Sequence, residues 1–220
     1  MTTSAICAVL FDLDGTLADT APDLAGALNR LLVERGLAPV PPEVTRPHTS
    51  SGARGLINAG LGIGPEHPEY ETLKARFLDL YAQHILVDTK LFPGMEVLLA
   101  ELERRELRWG IVTNKAARFT NPLIAAMGLA QRSACTISGD TTPHTKPHPE
   151  PLLHAARQIG LEPGACLYVG DDLRDIQAAR AAGMPVLAAA FGYLGDNGDP
   201  STWQADGIVN HPSEILNFLT

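Results

Sequence analysis

The chain has 220 residues, 45% of them hydrophobic and 19% charged, with a formal net charge of −8. That length allows one or two domains with a buried core, and the acidity argues against nucleic acid or an anionic membrane as partner. No apolar run approaches the roughly 20 residues that span a bilayer, and the run at 5–11 stops at Asp12 with no cationic leader, so a cytoplasmic protein is expected.

Residues 5–11 form a short, continuously apolar run, the pattern of a parallel strand covered on both faces. Pro22 then lies in the first turn of a helix with Leu24, Leu28, Leu31 and Leu32 on one face and Gly36 as its stop. A Pro-rich stretch, LAPVPPE, follows, and then a Gly-rich stretch, SSGARGLINAGLGIG, which reads as a loop. Tyr70, Leu73, Phe77, Leu80, Tyr81 and His84 form a second long helical stripe. No strand is expected between about Thr20 and Lys90, so this interval reads as an all-helical insertion with hinges near 17–21 and 88–94.

Pro93 sits early in the next helix, with Val97, Leu98 and Leu102 on one face. Strand-like runs recur at 107–114, 133–140, 165–171 and 184–191, with a short last one at 206–210. Helical patterns lie between them, one from Pro151 to Gly160 and one over 173–182 before Gly183. Strands alternating with helices imply βαβ units and a mostly parallel sheet, hence an α/β fold. The three cysteines, Cys7, Cys135 and Cys166, are widely spaced in strand-like runs and read as buried, inert thiols.

In open α/β sheets the ligand site lies beyond the carboxyl ends of the strands. Here those ends carry Asp12 and Asp14, then Thr113, Asn114 and Lys115, then a segment containing Lys146, then Asp171, Asp172 and Asp175. Like charges crowd together only around something positive. Asp12, Asp14 and Asp171 are hard oxygen donors with few nitrogens or sulfurs nearby, a set that suits Mg²⁺. At about 4 Å and an effective dielectric of about 20, each unit-charge pair is worth about 4 kcal/mol. A divalent ion, Lys146, and the small donors Thr113 and Asn114 together suit a phosphate ester. One carboxylate could attack phosphorus while a second moves protons.

Other polar residues have plainer readings. Asp19 and Asp172 read as helix-capping or solvated acids. Lys115 competes with Lys146 as the phosphate cation. His144 and His148 flank Lys146 in a Pro-interrupted loop. Leu17 in the sixth position from Asp12 excludes an EF-hand loop. The GLGIG run lacks dinucleotide-binding spacing, and no P-loop occurs.

DLDGT, VTN, a lone KP and GDDLRD, in that order from Asp12 to Asp175, resemble the four motifs of the haloacid dehalogenase-like (HAD) hydrolases. The resemblance covers essentially the whole chain. It implies a Rossmann-like parallel core, 1–19 and 91–220, with an inserted helical cap, 20–90. It also implies Asp12 as nucleophile, Asp14 as acid/base, and Thr113, Asn114 and Lys146 as phosphate ligands, which favours Lys146 over Lys115. Mg²⁺ would be held by Asp12, the Asp14 carbonyl and Asp171, with Asp175 as a supporting ligand. Within the family, FDLDGTLADTAPDL and VGDDLRDIQAARAAGM are similar to phosphoglycolate phosphatases. SGARGLI, WGIVTNK and the terminal W-x-A-D…HP-x-E also resemble N-acetylmuramic acid 6-phosphate phosphatases. The resemblance thus implies an Mg²⁺-dependent phosphatase of a small carboxylate-bearing ester, with 2-phosphoglycolate first and the muramic acid ester as alternative. A sugar phosphomutase and a non-catalytic phosphometabolite sensor are the lesser alternatives, and a monomer or homodimer is expected. Arg54, in the Gly-rich stretch, is the cap residue expected to reach the substrate carboxylate, the alternative being a surface arginine at a helix start, with His48 and Arg118 behind it.

Overall fold

The computed structural model describes residues 5–195 and 198–219. After β1 (Ala8–Phe11) the chain makes a two-residue strand, β2 (Ala18–Asp19), and then four helices: α1 (Ala21–Glu34), α2 (Pro42–Thr45), α3 (Gly52–Leu61) and α4 (Tyr70–Gln83). It returns through β3 (Lys90–Leu91) to α5 (Met95–Arg104), β4 (Arg108–Val112), α6 (Ala117–Ala126) and β5 (Thr136–Ile137). The last part holds α7 (Glu150–Gln158), β6 (Cys166–Gly170), α8 (Leu173–Ala182), β7 (Val186–Ala189) and β8 (Gly207–Val209).

The main sheet is parallel throughout, in the order β5-β4-β1-β6-β7-β8. Side chains alternate across it with period two. Val9, Phe11, Trp109, Ile111, Leu167 and Val169 face α5 and α6. Ala8, Leu10, Val112, Cys166 and Tyr168 face α7 and α8. Both faces are covered, which is why these strands read as unbroken apolar runs. The fold is α/β. Because β1 sits between β4 and β6, the carboxyl ends of these three strands lie side by side. This is the crevice where such sheets place ligands.

α1, α3 and α4 have a separate apolar cluster built on Leu28, Leu56, Phe77 and Leu80, into which Phe119 of α6 projects. The two chain crossings pair as an antiparallel ribbon, Ala18 with Leu91 and Asp19 with Lys90. Next to it Asp23 accepts the N–H groups of Val87, Asp88 and Thr89 and the Thr89 hydroxyl, fastening the start of α1 to the returning chain.

Several local expectations change. The Gly-rich run is not a loop; most of it is helix α3, whose Gly60 lies so close to α1 that a Cβ there would stand 2.9 Å from the Leu28 methyls. The strand expected over 133–140 shrinks to Thr136–Ile137, because Ser138 turns back to bond Thr141. Val97 is 73% exposed; Leu98, Leu99 and Leu102 make the buried face of α5. Cys7 is exposed, one residue before β1, whereas Cys135 and Cys166 are buried.

Candidate active site

The carboxyl ends of β1, β4 and β6 meet in a pocket of about 50 Å³ lined by Asp12, Asp14, Thr113, Lys146 and Asp175 among others. Asp12 and Asp14 are each anchored through one oxygen. Asp12 Oδ1 accepts the Leu13 N–H and pairs with Lys146 Nζ, both at 2.8 Å. Asp14 Oδ1 accepts the Thr20 hydroxyl at 2.5 Å and pairs with Lys115 at 2.8 Å. In both side chains Oδ2 is left without a protein hydrogen bond among the described residues.

Lys146 is 4% exposed and surrounded by oxygens: Asp12, Asp175 at 2.7 Å, the Tyr168 hydroxyl at 2.8 Å and the Val112 carbonyl at 3.0 Å. Its three N–H groups are therefore spent within the protein, and what it offers the pocket is charge. Asp171 is fully buried; its carboxylate accepts the Thr16 hydroxyl and the Tyr193 N–H. Gly15, at φ +89°, brings the turn after β1 against it, and a Cβ there would fall 2.2 Å from Asp171 Oδ2.

Charge in this pocket is unbalanced. Asp12, Asp14, Asp171 and Asp175 face two ammonium groups, while Asp172 is taken by Arg174 and caps α8. Burial pushes the Asp12 carboxyl up to about 7 against the pull of Lys146, and Asp175 adds to the rise. Burial, with Asp12 and Asp175 nearby, drives Asp171 well above the usual carboxylate range. Burial works against the charge of Lys115 and Lys146, but Asp14 in the one case and Asp12 in the other hold each ammonium above its usual value. Asp12, Asp171 and Asp175 each present an oxygen, all within 4.8 Å of one another. This acid-rich, all-oxygen set fits a hard divalent cation.

The Asn114 amide clamps the peptide of Lys146, donating to the carbonyl and accepting the N–H, both at 2.9 Å. This positions the lysine with one of the two amide N–H groups and leaves the other for a further acceptor. Arg54 is exposed on α3 and lines a separate groove with His48, Asn58 and Glu66, outside the acid pocket. Asp14 stands outside the cluster of three acids, its anchored oxygen committed to Thr20 and Lys115.

Residues 9–189 match the family model described as haloacid dehalogenase-like hydrolase. The chain belongs to this family. It is 44% identical over 212 residues to the N-acetylmuramic acid 6-phosphate phosphatase of Pseudomonas putida, covering 96% of this chain and 95% of that protein. It is 46% identical over 209 residues to the phosphoglycolate phosphatase of Xanthomonas campestris, covering 94% of each. Among solved structures, a predicted phosphoglycolate phosphatase from Haemophilus somnus superposes with a TM-score of 0.87 at 27% identity, over 99% of both chains. The protein is a HAD-like phosphatase, a phosphoric monoester hydrolase.

In this phosphatase several site residues escape motif reading. Tyr168 braces Lys146 from the sheet; its place in the alternation of β6 gives the one sequence clue, since a buried tyrosine hydroxyl needs a polar partner. Tyr193 links the site to the helical insertion: its N–H holds Asp171, and its hydroxyl accepts the N–H groups of Thr20 and Ala21 and donates to Asp19. Asp19 also pairs with Arg46. Arg174, held by Asp172, donates to the Ser50 carbonyl across from α8. Nothing in the sequence marks Tyr193 or Ser50.

Proposed function

We propose that the protein is an Mg²⁺-dependent phosphatase that hydrolyses a small carboxylate-bearing phosphate monoester through an aspartyl-phosphate on Asp12. The observation that carries this reading is the pair of half-anchored acids. Asp12 and Asp14 each have one oxygen fixed by a lysine and one open toward the same pocket. A fixed carboxylate with a free oxygen is oriented for attack without losing its lone pairs to the protein.

Asp12 Oδ2 would form the bond to phosphorus as the ester P–O bond breaks, and Asp14 would give its proton to the leaving oxygen. Asp14 would then take a proton from a water whose oxygen attacks phosphorus. The Asp12–phosphorus bond breaks and free phosphate leaves. The Thr113 hydroxyl accepts the Lys115 N–H, so its own proton is available to a phosphoryl oxygen. Lys146 supports the reading by placing buried positive charge at the pocket wall. Mg²⁺, held by the side chains of Asp12 and Asp171, the Asp14 carbonyl and, as a supporting ligand, Asp175, would neutralise phosphoryl charge. The helices 21–83 would act as a cap that screens the ester from water.

The relatives from Pseudomonas putida and Xanthomonas campestris, similar to almost the same degree, carry different substrate names, so both 2-phosphoglycolate and N-acetylmuramic acid 6-phosphate belong to the proposed class. The test is Asp12→Asn. Its expected result is a folded protein that releases phosphate at least about 10³-fold more slowly, the scale of losing a nucleophile. Phosphate release at the wild-type rate would overturn the assignment. An isomerised sugar phosphate without free phosphate would identify a mutase instead.

A further inference from the structure

Beside the acid pocket lies a second cavity of about 270 Å³, sharing Asp14, Asn114 and Lys115 with it. α1, α3 and α4 form one side and the start of α6 the other. Leu24, Phe77, Leu78 and Phe119 make its apolar wall. Lys74, Tyr81 and Arg118 supply the polar groups beyond those shared with the acid pocket and beyond Thr49.

Two of these side chains are placed in a way that packing alone does not explain. Tyr81 is 1% exposed, and its hydroxyl has no well-formed hydrogen bond among the described residues; its polar neighbour, the Lys115 ammonium, is paired with Asp14. A buried hydroxyl that lacks a well-formed bond costs free energy, and on a residue lining a cavity it has room for an acceptor supplied by a ligand. Arg118 rests its guanidinium 4.5 Å over the Phe119 ring, with no carboxylate paired to it among the described residues. Lys74, by contrast, has Glu71 at 3.3 Å. The aromatic support fixes the plane of an unpaired arginine at the rim of the cavity.

The size also matters. About 270 Å³ approaches the roughly 300–1,000 Å³ typical of pockets that enclose a whole organic ligand. A two-carbon leaving group would leave most of this space, and its apolar wall, filled with water.

We propose that this cavity is the leaving-group subsite, and that Arg118 and Tyr81 are specificity-determining residues for a sugar-sized leaving group bearing a carboxylate. Arg118 takes the carboxylate through its planar fork. The Tyr81 hydroxyl bonds a ring or amide oxygen, and the aromatic wall covers the less polar face of the sugar. This rests on the reading that Asp12 receives the phosphoryl group. It favours the chemistry of N-acetylmuramic acid 6-phosphate over that of 2-phosphoglycolate.

The test compares kcat/KM for N-acetylmuramic acid 6-phosphate, for N-acetylglucosamine 6-phosphate, which lacks the carboxylate-bearing ether, and for 2-phosphoglycolate. Wild type is expected to prefer the carboxylated sugar to both others. Arg118→Gln is expected to cut the preference over the neutral sugar by about 10- to 100-fold, the size of a lost charge-assisted contact. Arg118→Lys restores part of it. Tyr81→Phe lowers kcat/KM for both sugars without lowering Tm, because the hydroxyl has no well-formed bond within the protein; a purely structural tyrosine would lower Tm and leave kcat/KM unchanged. Wild-type preference for 2-phosphoglycolate, or an unchanged carboxylated-to-neutral ratio in Arg118→Gln, overturns the subsite. If aryl phosphate is hydrolysed with that ratio unchanged, the subsite falls alone. If wild type hydrolyses none of the three esters and no aryl phosphate, the phosphatase reading falls and the subsite with it.

Discussion

Tyr193→Phe removes one oxygen and keeps the ring. That oxygen accepts the Thr20 N–H at 2.8 Å and the Ala21 N–H at 2.9 Å, and donates to Asp19 at 2.8 Å. Thr20 and Ala21 begin α1, where N–H groups have no partner inside the helix. They are 0% and 4% exposed, so water does not readily replace the phenol. Each stranded buried N–H costs about 1–3 kcal/mol, and the bond to a carboxylate adds about 1.5–3 kcal/mol. Asp19 retains Arg46, which recovers much of that last contribution. The space left by the oxygen can admit a water to one donor. The expected loss is therefore about 2–4 kcal/mol. The ring contacts with Phe92 and the Arg46 guanidinium persist, so packing is held constant. Urea titration measures the change as a lower midpoint at unchanged m-value. A loss below about 0.5 kcal/mol, the scatter of surface substitutions, would refute the idea that this hydroxyl fastens the start of the helical insertion.

Asp23 is held below the usual carboxylate range: its burial would raise it, but the Thr89 hydroxyl and the N–H groups of Val87, Asp88 and Thr89 more than offset this. A depressed folded-state value gives stability that is present above about pH 4 and lost as pH falls through that lower value. Asp23→Asn is expected to be less stable by about 1–2 kcal/mol at pH 7 and to converge on wild type in acid; parallel stability curves would contradict this. For the metal, adding Mg²⁺ to chelator-stripped protein is expected to raise Tm, while Asp171→Asn removes that rise and leaves the stripped protein at least as stable as wild type. The asparagine can still accept the Tyr193 N–H and donate to Thr16, without adding to the crowd of buried charge. An equal Mg²⁺ response in both proteins would exclude Asp171 as a ligand.

The strands and their acids were legible because two physical requirements coincide in the sequence. A strand buried on both faces must be an unbroken apolar run, and a parallel sheet gathers polar groups at the carboxyl ends of such runs. That is how Asp12, Lys146 and Asp171, far apart in the chain, can be grouped from the sequence. The helical insertion was less legible. α3 contains Gly52, Gly55 and Gly60, residues that weaken helices in isolation, and is held by packing against α1. Its propensity pointed to a loop, and a loop suggested that Arg54 could reach the substrate. As a helix it turns Arg54 outward, into the groove with His48 and Glu66. Of the residues that line the second cavity, Arg118 on α6 stands behind Arg54 as a candidate in the sequence, whereas Tyr81 on α4 reads only as part of a helix stripe. Two-residue strands such as β2 and β3 have no periodicity to detect at all.

Lys115 shows why spacing could not decide between two neighbouring cations. Read along the chain, Lys115 and Lys146 compete for one role. In space they divide the acids between them: Lys146 takes Asp12 and Asp175, Lys115 takes Asp14. The division follows from backbone placement. Lys146 comes from the segment before α7, where Asn114 clamps its peptide and Tyr168 braces its ammonium. Lys115 continues directly from β4 and reaches forward, its ammonium 4.8 Å over the Tyr81 ring. It thereby lines both cavities and touches the acid that lies between them. Under the proposed chemistry, the leaving oxygen would be protonated where phosphate pocket and sugar subsite join, which is where a cation beside Asp14 stabilises the carboxylate left behind.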